Sequence, residues 1–343
     1  MTSQVVGAID MGGTKTALAL VRGDGRVVRR TRFDTPPRPS PAAFLDRVAA
    51  EWARLVAEDG GVPVAAVGVA APGPSDAVAG VLHQVFDWPW RDVPVAAALG
   101  ARLGLPVSIE NDVNCCALAE RGFGAAVQVA DFAWVQVSTG VGGALFLGGR
   151  LYRGASGLAG EIGHLELDEN GPRCACGRRG CLQALISGPA IARRYAEATG
   201  GERAVMGDAP PAVSTAEVFA RASGEDRVAR GVIAGVATDL GRGLALLVNL
   251  LNPALVVVGG GVLASLAAHL PAVQRAMRDR VIGSANAAVP VVPSAVGYDA
   301  ALLGAAALAL AAAPRDRQGR GASWAGPDEA ASPGPRSPGV PPL

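Results

Sequence analysis

Short apolar runs, spaced by glycine and proline, alternate along this chain with stretches of helical period. Gln4–Asp10, Thr16–Arg22 and Arg26–Arg32 are β-branched runs that predict three strands, with Asp24-Gly25 as the turn between the last two. A helix is expected from Pro41 to Glu58, with Ser40 as its N-cap and Pro41 at its first position. Ala65–Ala70 reads as a buried strand broken by Ala71-Pro72-Gly73-Pro74. Pro94–Leu103 is helical, and the strand Pro106–Glu110 runs straight into a helix over Asp112–Arg121. Phe132–Ser138 and Gly143–Leu147 form another strand pair. Between Gly154 and Gly180 the chain is rich in glycine and cysteine and has little periodicity. Helices are predicted at Pro189–Ala198, Thr215–Ala222 and Arg227–Asn249, the middle one opened by a capping box of Ser214 and Glu217. The strand Ala254–Val258 ends in Gly259-Gly260-Gly261, and a helix (Leu263–Arg280), a strand (Val289–Val292) and a helix (Asp299–Ala313) follow.

One stretch repeats. Asp10–Leu20 and Ser138–Leu147 both read strand, glycine turn, strand. With strand-rich halves on either side, this implies a duplicated α/β architecture around a cleft. A length of 343 residues fits two domains at roughly 100–200 residues each.

Composition narrows the function. A net charge of +1 gives no electrostatic footprint for nucleic acid or an anionic membrane. The N-terminal residues do not read as a signal peptide, and the nearest approach to a membrane span, Ala300–Ala313, is short and alanine-rich. Five cysteines clustered in such a chain point to a reducing compartment and to metal binding rather than disulfides. A cytoplasmic location is therefore expected. Lys15 is the only lysine, and it sits in the first glycine turn.

Gly12 and Gly13 clear space for a phosphate to approach backbone N–H groups. Thr14 adds a hydroxyl, Lys15 a charge, and Asp10 a carboxylate suited to magnesium through water. Thr139-Gly140-Val141-Gly142 offers the same from the other half, and two such turns across a cleft would clamp a nucleotide. Gly259-Gly260-Gly261, between a buried strand and a helix, suits an adenosine or its phosphates and equally suits a plain tight turn. No GxxxxGK[ST] loop or protein-kinase signature set is present. Glu110-Asn111-Asp112 lies where a strand meets a helix, so Asp112 suits a general base; spacing alone favours a helix cap. His164, Cys174, Cys176 and Cys181 form H-x9-C-x-C-x4-C, a donor set for tetrahedral zinc. Cys115 and Cys116 read as small core residues.

Together these motifs resemble the ROK family (repressors, open reading frames, kinases). The resemblance is carried by Asp10–Lys15, Glu110–Asn114, Ser138–Ala144, Gly157–His164, Cys174–Cys181 and Gly259–Val262, and covers Asp10 to about Ala313. It implies the duplicated actin-like, ribonuclease-H-like fold and a homodimer. The domains would be 1–111, rejoined by 299–313, and 112–298, with a disordered tail over 314–343. It implies ATP-dependent phosphorylation of a hexose 6-hydroxyl, glucose first, with Mg2+ and a structural Zn2+. Asp112 would be the base, and Asn111, Asp112, Glu161 and His164 the sugar ligands. Two positions depart from the pattern: Asp87 stands where glucokinases of the family often carry Asn, and Gln183 where the family favours Glu. Both would touch sugar, so the departures bear on which hexose is taken. N-acetylglucosamine or N-acetylmannosamine is the alternative, and a non-catalytic sugar sensor the alternative of another class. A repressor is not expected, because the first glycine turn begins at residue 10 and leaves no room for a DNA-binding domain before it.

Overall fold

The computed structural model describes residues 4–85, 88–200 and 213–314. The first half contains β1 (Val5–Met11), β2 (Lys15–Arg22), β3 (Val27–Asp34), α1 (Pro41–Glu58) and β4 (Val64–Ala71). Next come the short β5 (Ser75–Asp76), β6 (Val81–Gln84) and β7 (Arg91–Val93), then α2 (Val95–Leu103) and β8 (Val107–Asn111). α3 (Asp112–Phe123) leads to β9 (Phe132–Val137), β10 (Val141–Leu147) and β11 (Arg150–Tyr152). The helices α4 (Leu182–Ile186), α5 (Gly188–Ala198), α6 (Thr215–Ser223) and α7 (Arg227–Leu251) follow. The chain closes with β12 (Leu255–Gly259), α8 (Gly261–Leu266), α9 (Leu270–Arg278), α10 (Gly283–Ala287), β13 (Val291–Pro293) and α11 (Ala300–Ala312).

The two large sheets share one topology. The first has the order β3-β2-β1-β4-β8 and the second β11-β10-β9-β12-β13. In each, the first three strands pair antiparallel and the last three parallel. The repeat seen in the sequence is the hairpin at the matching place in each sheet, β1–β2 and β9–β10.

Strand alternation places opposite residues on opposite faces, and both faces of each sheet are buried. In the first sheet Ile9, Met11, Leu18, Leu20 and Val69 face α1 and α2, which contribute Phe44, Val48, Trp52 and Leu99. The other face is built from Val6, Ala8, Ala19, Ala66 and Ala70 and meets Leu302, Ala305 and Ala309 of α11. In the second sheet Phe132, Trp134, Phe146 and Val257 meet Cys116 and Leu118 of α3 and Ala307 and Leu308 of α11. The remaining face carries the largest core, with Val135, Val137 and Val256 against α4, α5 and α7. α3 and α11 therefore form a middle layer between the two sheets. They cross closely: a side chain at Gly304 would run into the carbonyl of Cys115. Cys115 and Cys116 are buried there, as small core residues should be.

Several expectations change. The helix over Leu263–Arg280 is interrupted at Ala267–His269, because Pro271 can occupy the first turn of a new helix but not the interior of an old one. The three-stranded sheet β5-β6-β7 was not foreseen, since its strands are too short to show alternation. Among the described residues α7, not α11, is the helix long and apolar enough to cross a membrane. Its apolar side, including Val236, Leu240, Leu244 and Val248, is buried in the core of the second half. The expected disordered tail lies, from residue 315 on, outside the described residues.

The crossing can be tested. Gly304→Val should cost about 3 kcal/mol by overpacking. Gly231→Ala, on an exposed turn of α7 with open space around it, should instead raise stability by up to about 1 kcal/mol through helix propensity. Thermal melts of both variants check this; equal effects of the two would contradict the close crossing.

Candidate active site and metal cluster

The parallel strands of the first sheet are in step, with Asp10 beside Ala70 and Ala71 beside Asn111. The turns leaving β1, β4 and β8 therefore share one edge. The turn after β1 is braced from beneath: the Thr35 hydroxyl donates to the Gly12 carbonyl at 2.8 Å, and the Thr35 N–H donates to the Thr14 carbonyl at 2.9 Å. Thr16 hydrogen-bonds the Thr35 hydroxyl at 2.8 Å. Gly13, Thr14 and Lys15 remain exposed above this brace, and Lys15 makes no ion pair among the described residues.

In the second sheet Gly259 lies beside Gln136, which sets the Gly260–Gly261 turn against Val137 and Ser138. The turn at 138–140 is held by the Ser138 N–H donating to the Gly140 carbonyl at 2.8 Å. The Gly188 N–H donates to the Ser138 carbonyl at 2.8 Å, and the Val141 N–H to Oε1 of Gln183 at 3.0 Å. Gln183 is thus tied to the second glycine turn. Thr139 is exposed.

Asp112 begins α3, but it is not the cap that spacing favoured. Asn111 is the N-cap, its Oδ1 accepting from the N–H groups of Val113 at 2.9 Å and Asn114 at 3.2 Å. Its Nδ2 donates to the Gly73 carbonyl at 3.2 Å, joining the turns after β4 and β8. Burial raises the Asp112 carboxyl to about 6, against the lowering effect of hydrogen bonds from the Val113 and Asp112 N–H groups and from Asn111. Asp10 is raised to about 7, first by burial and then by the charges of Asp112 and Asp299. Asp10 accepts no hydrogen bond among the described residues. A carboxylate raised in this way can accept a proton near neutral pH, and a second acid within its electrostatic reach is of the type that can take a cation.

Glu161 and His164 stand on the loop that crosses β10. Gly143 and Gly160 make the close contact: a side chain at Gly143 would sit 2.9 Å from the Gly160 carbonyl, so neither strand nor loop tolerates one. On the neighbouring position of β10, Val113 of α3 packs on Gly142. The start of α3 and the Glu161–His164 turn thus flank the same short stretch of β10. Glu161 is exposed, with Oε2 3.9 Å from His164 Nε2. Asp87 lies outside the described residues.

The other ring nitrogen of His164 faces sulfur. Nδ1 is 3.8 Å from the Cys174 Sγ, and the sulfurs of Cys176 and Cys181 are 3.7 Å apart. The ligand atoms of His164, Cys174, Cys176 and Cys181 all lie within 4.8 Å of one another. A tetrahedron with Zn–S bonds of about 2.3 Å has edges of about 3.8 Å, so the donors and their spacing fit a zinc ion. Burial raises the Cys176 thiol, but hydrogen bonds from the Arg178 backbone and side chain and from the Cys174 and Cys181 thiols draw it down to about 6.

Two residues received no role of their own from the sequence, although Glu110 stands in the Glu110-Asn111-Asp112 motif. Glu110 is buried, with Oε1 accepting from the Asn111 N–H and Asn114 Nδ2, both at 2.9 Å, and Oε2 paired with Arg153 Nε at 2.7 Å. A glutamate inside a buried strand was a usable signal for the first; Arg153, in an aperiodic loop, offered none.

Residues 6–312 match the ROK family. A glucokinase of Thermotoga maritima is 30% identical over 305 residues, covering 88% of this chain and 95% of that one. An N-acetylmannosamine kinase of Escherichia coli O157:H7 is 35% identical over 309 residues, covering 88% and 97%. The crystal structure of a ROK glucokinase from Streptomyces griseus with glucose and AMPPNP superposes with a TM-score of 0.74 at 30% identity, covering 89% and 99%.

The cluster makes a direct prediction. Purified protein is expected to carry about one zinc per chain by elemental analysis, and Cys181→Ser to lose it. Well-folded wild type without metal would refute the assignment.

Proposed function

This chain belongs to the ROK family, with the duplicated actin-like fold, and we propose that it transfers the γ-phosphoryl group of ATP to the 6-hydroxyl of a hexose, glucose first. The observation that carries this reading is Asp112: a half-buried carboxyl at the start of α3, raised to about 6 by desolvation, whose charge in turn raises Asp10. The matching glycine turns of the two sheets and the solved relative with glucose and AMPPNP support it. The halves divide at 111/112, with 299–313 returning to the first; the packing of α11 on β1 and β4 favours that division.

In this reading the sugar 6-oxygen attacks phosphorus, its proton passes to Asp112, and the bond to the leaving ADP oxygen breaks. Gly12, Gly13, Thr14 and Lys15 hold phosphate on one side. Thr139, Gly140 and Gly259-Gly260-Gly261 hold the nucleotide on the other. Asp10 would hold Mg2+, which when bound neutralises phosphate charge. Asn111, Glu161 and His164 orient the sugar. His164, Cys174, Cys176 and Cys181 would hold zinc, fixing Nδ1 of His164 on the metal and leaving Nε2 for a hydroxyl.

An N-acetylmannosamine or N-acetylglucosamine kinase is the second reading, favoured by the 35% identical relative and by Gln183. The Gln183 oxygen is taken by the Val141 N–H, so the free end of this amide is a donor. A glutamate there would have offered an acceptor.

Two measurements test the proposal. A coupled ADP-release screen over glucose, mannose, fructose and the N-acetylhexosamines should give turnover with at least one; none would leave a sugar sensor. Asp112→Asn should lower kcat by about 10²–10⁴ while sugar still binds. Because the base acts only when deprotonated, wild-type kcat should be half-maximal near pH 6, level off about one unit above it, and approach a tenfold fall per unit about one unit below. A near-normal rate in Asp112→Asn refutes the base.

A further inference from the structure

Resting on the sugar-kinase reading, we infer that the Glu110–Arg153 ion pair is the positioning device that sets the sugar-binding loop against the base. Glu110 is the next-to-last residue of β8, the strand that ends at Asn111 and leads into Asp112, and it is 1% exposed. Its Oε1 holds the Asn111 N–H and the Asn114 side chain, both at 2.9 Å, which fixes the strand-to-helix corner from which Asp112 projects. Its Oε2 takes Arg153 Nε at 2.7 Å. Arg153 is the first residue after β11, at the root of the loop that carries Glu161 and His164, and its carbonyl accepts the Ala159 N–H at 3.0 Å, folding that loop back on itself. One buried carboxylate therefore bonds at once to the corner that carries the base and to the root of the loop that carries the sugar ligands.

Chain connectivity does not set this relation. Asp112 begins the middle layer, whereas the loop departs from β11 at the edge of the second sheet. Gly160 and Gly163 seat the far end of the loop on β10. The near end is fixed by Arg153. A buried pair of this kind adds little net stability, since desolvation offsets its attraction, but loss of one partner leaves the other charge buried and uncompensated. The corner and the loop would then be free to part, and a displacement of about 1 Å at reacting groups changes rates by up to about a hundredfold.

Wild-type turnover over the hexose panel tests the functional reading alone. The positioning role is read from binding: calorimetry with the sugar that the panel identifies, and separately with AMPPNP, on the full chain. Arg153→Met should weaken sugar binding by about tenfold and leave AMPPNP binding within about twofold. Arg153→Lys should recover most of the loss. Glu110→Gln, which keeps an acceptor for Asn111 and Asn114 but removes the charge, should match Arg153→Met, and the double variant should be no weaker than either. Unchanged sugar affinity in Arg153→Met, or equal losses for sugar and nucleotide, overturns the inference.

Discussion

The close crossing of α3 and α11 sets the geometry on which the site depends. Two helices between two sheets would ordinarily hold the sheets apart by full side-chain thickness. Here the contacts are Gly304 on the Cys115 backbone, Gly122 beside Ala307, and an alanine-lined face of the first sheet. Small residues let backbone approach backbone, so both sheets close on one thin helical layer. α3 starts at the edge of that layer, and its first residue is Asp112. That residue follows the edge shared with the turns leaving β1 and β4, and Val113 next to it packs on Gly142 of the second sheet's glycine hairpin.

The same burial creates an electrostatic demand. Asp10 and Asp112 are each pushed toward neutrality by desolvation, and each raises the cost of ionising its neighbourhood. The positive end of the α3 dipole offsets part of that cost for Asp112, and Asn111 meets the capping need of the helix, so the fold does not require Asp112 as its cap. Asp10 has no such compensation among the described residues. On the proposed reading, a divalent cation would offset the charge of these carboxylates and of the phosphates brought beside them.

Much of this was legible in the sequence. Ser40 with Pro41, the Asp24-Gly25 turn and the repeated glycine hairpin are local signals with local causes, and the structure follows them closely. The gathering of His164, Cys174, Cys176 and Cys181 was legible because His and Cys have few reasons to cluster. What failed was chemistry that depends on partners remote in sequence. Asp112 and Asn111 are both good caps, and only the three-dimensional path of Gly73 decides that Asn111 takes the role. Gln183, read as a sugar contact from its place after Cys181-Leu182, also holds the Val141 N–H through its oxygen, a tie to a turn 42 positions away that the sequence does not show. Arg153 was invisible because its partner lies 43 positions away. The break before α9 needed only Pro271, and was missed because apolar periodicity continued across it.

Reaction and sugar choice rest on different parts of this architecture. The groups assigned to phosphoryl transfer sit on the middle layer, which is packed on both faces, and on the exposed glycine turns at the strand ends. The groups assigned to the sugar sit on the aperiodic loop around Glu161 and His164 and on the first turn of α4, anchored at a few points by glycine contacts, one ion pair and the metal cluster. Gln in place of Glu at position 183 keeps an oxygen for the Val141 N–H of the second glycine turn while turning the other end of the side chain from acceptor to donor. One scaffold can in this way serve relatives named for different sugars, with specificity held by side chains whose anchoring is local.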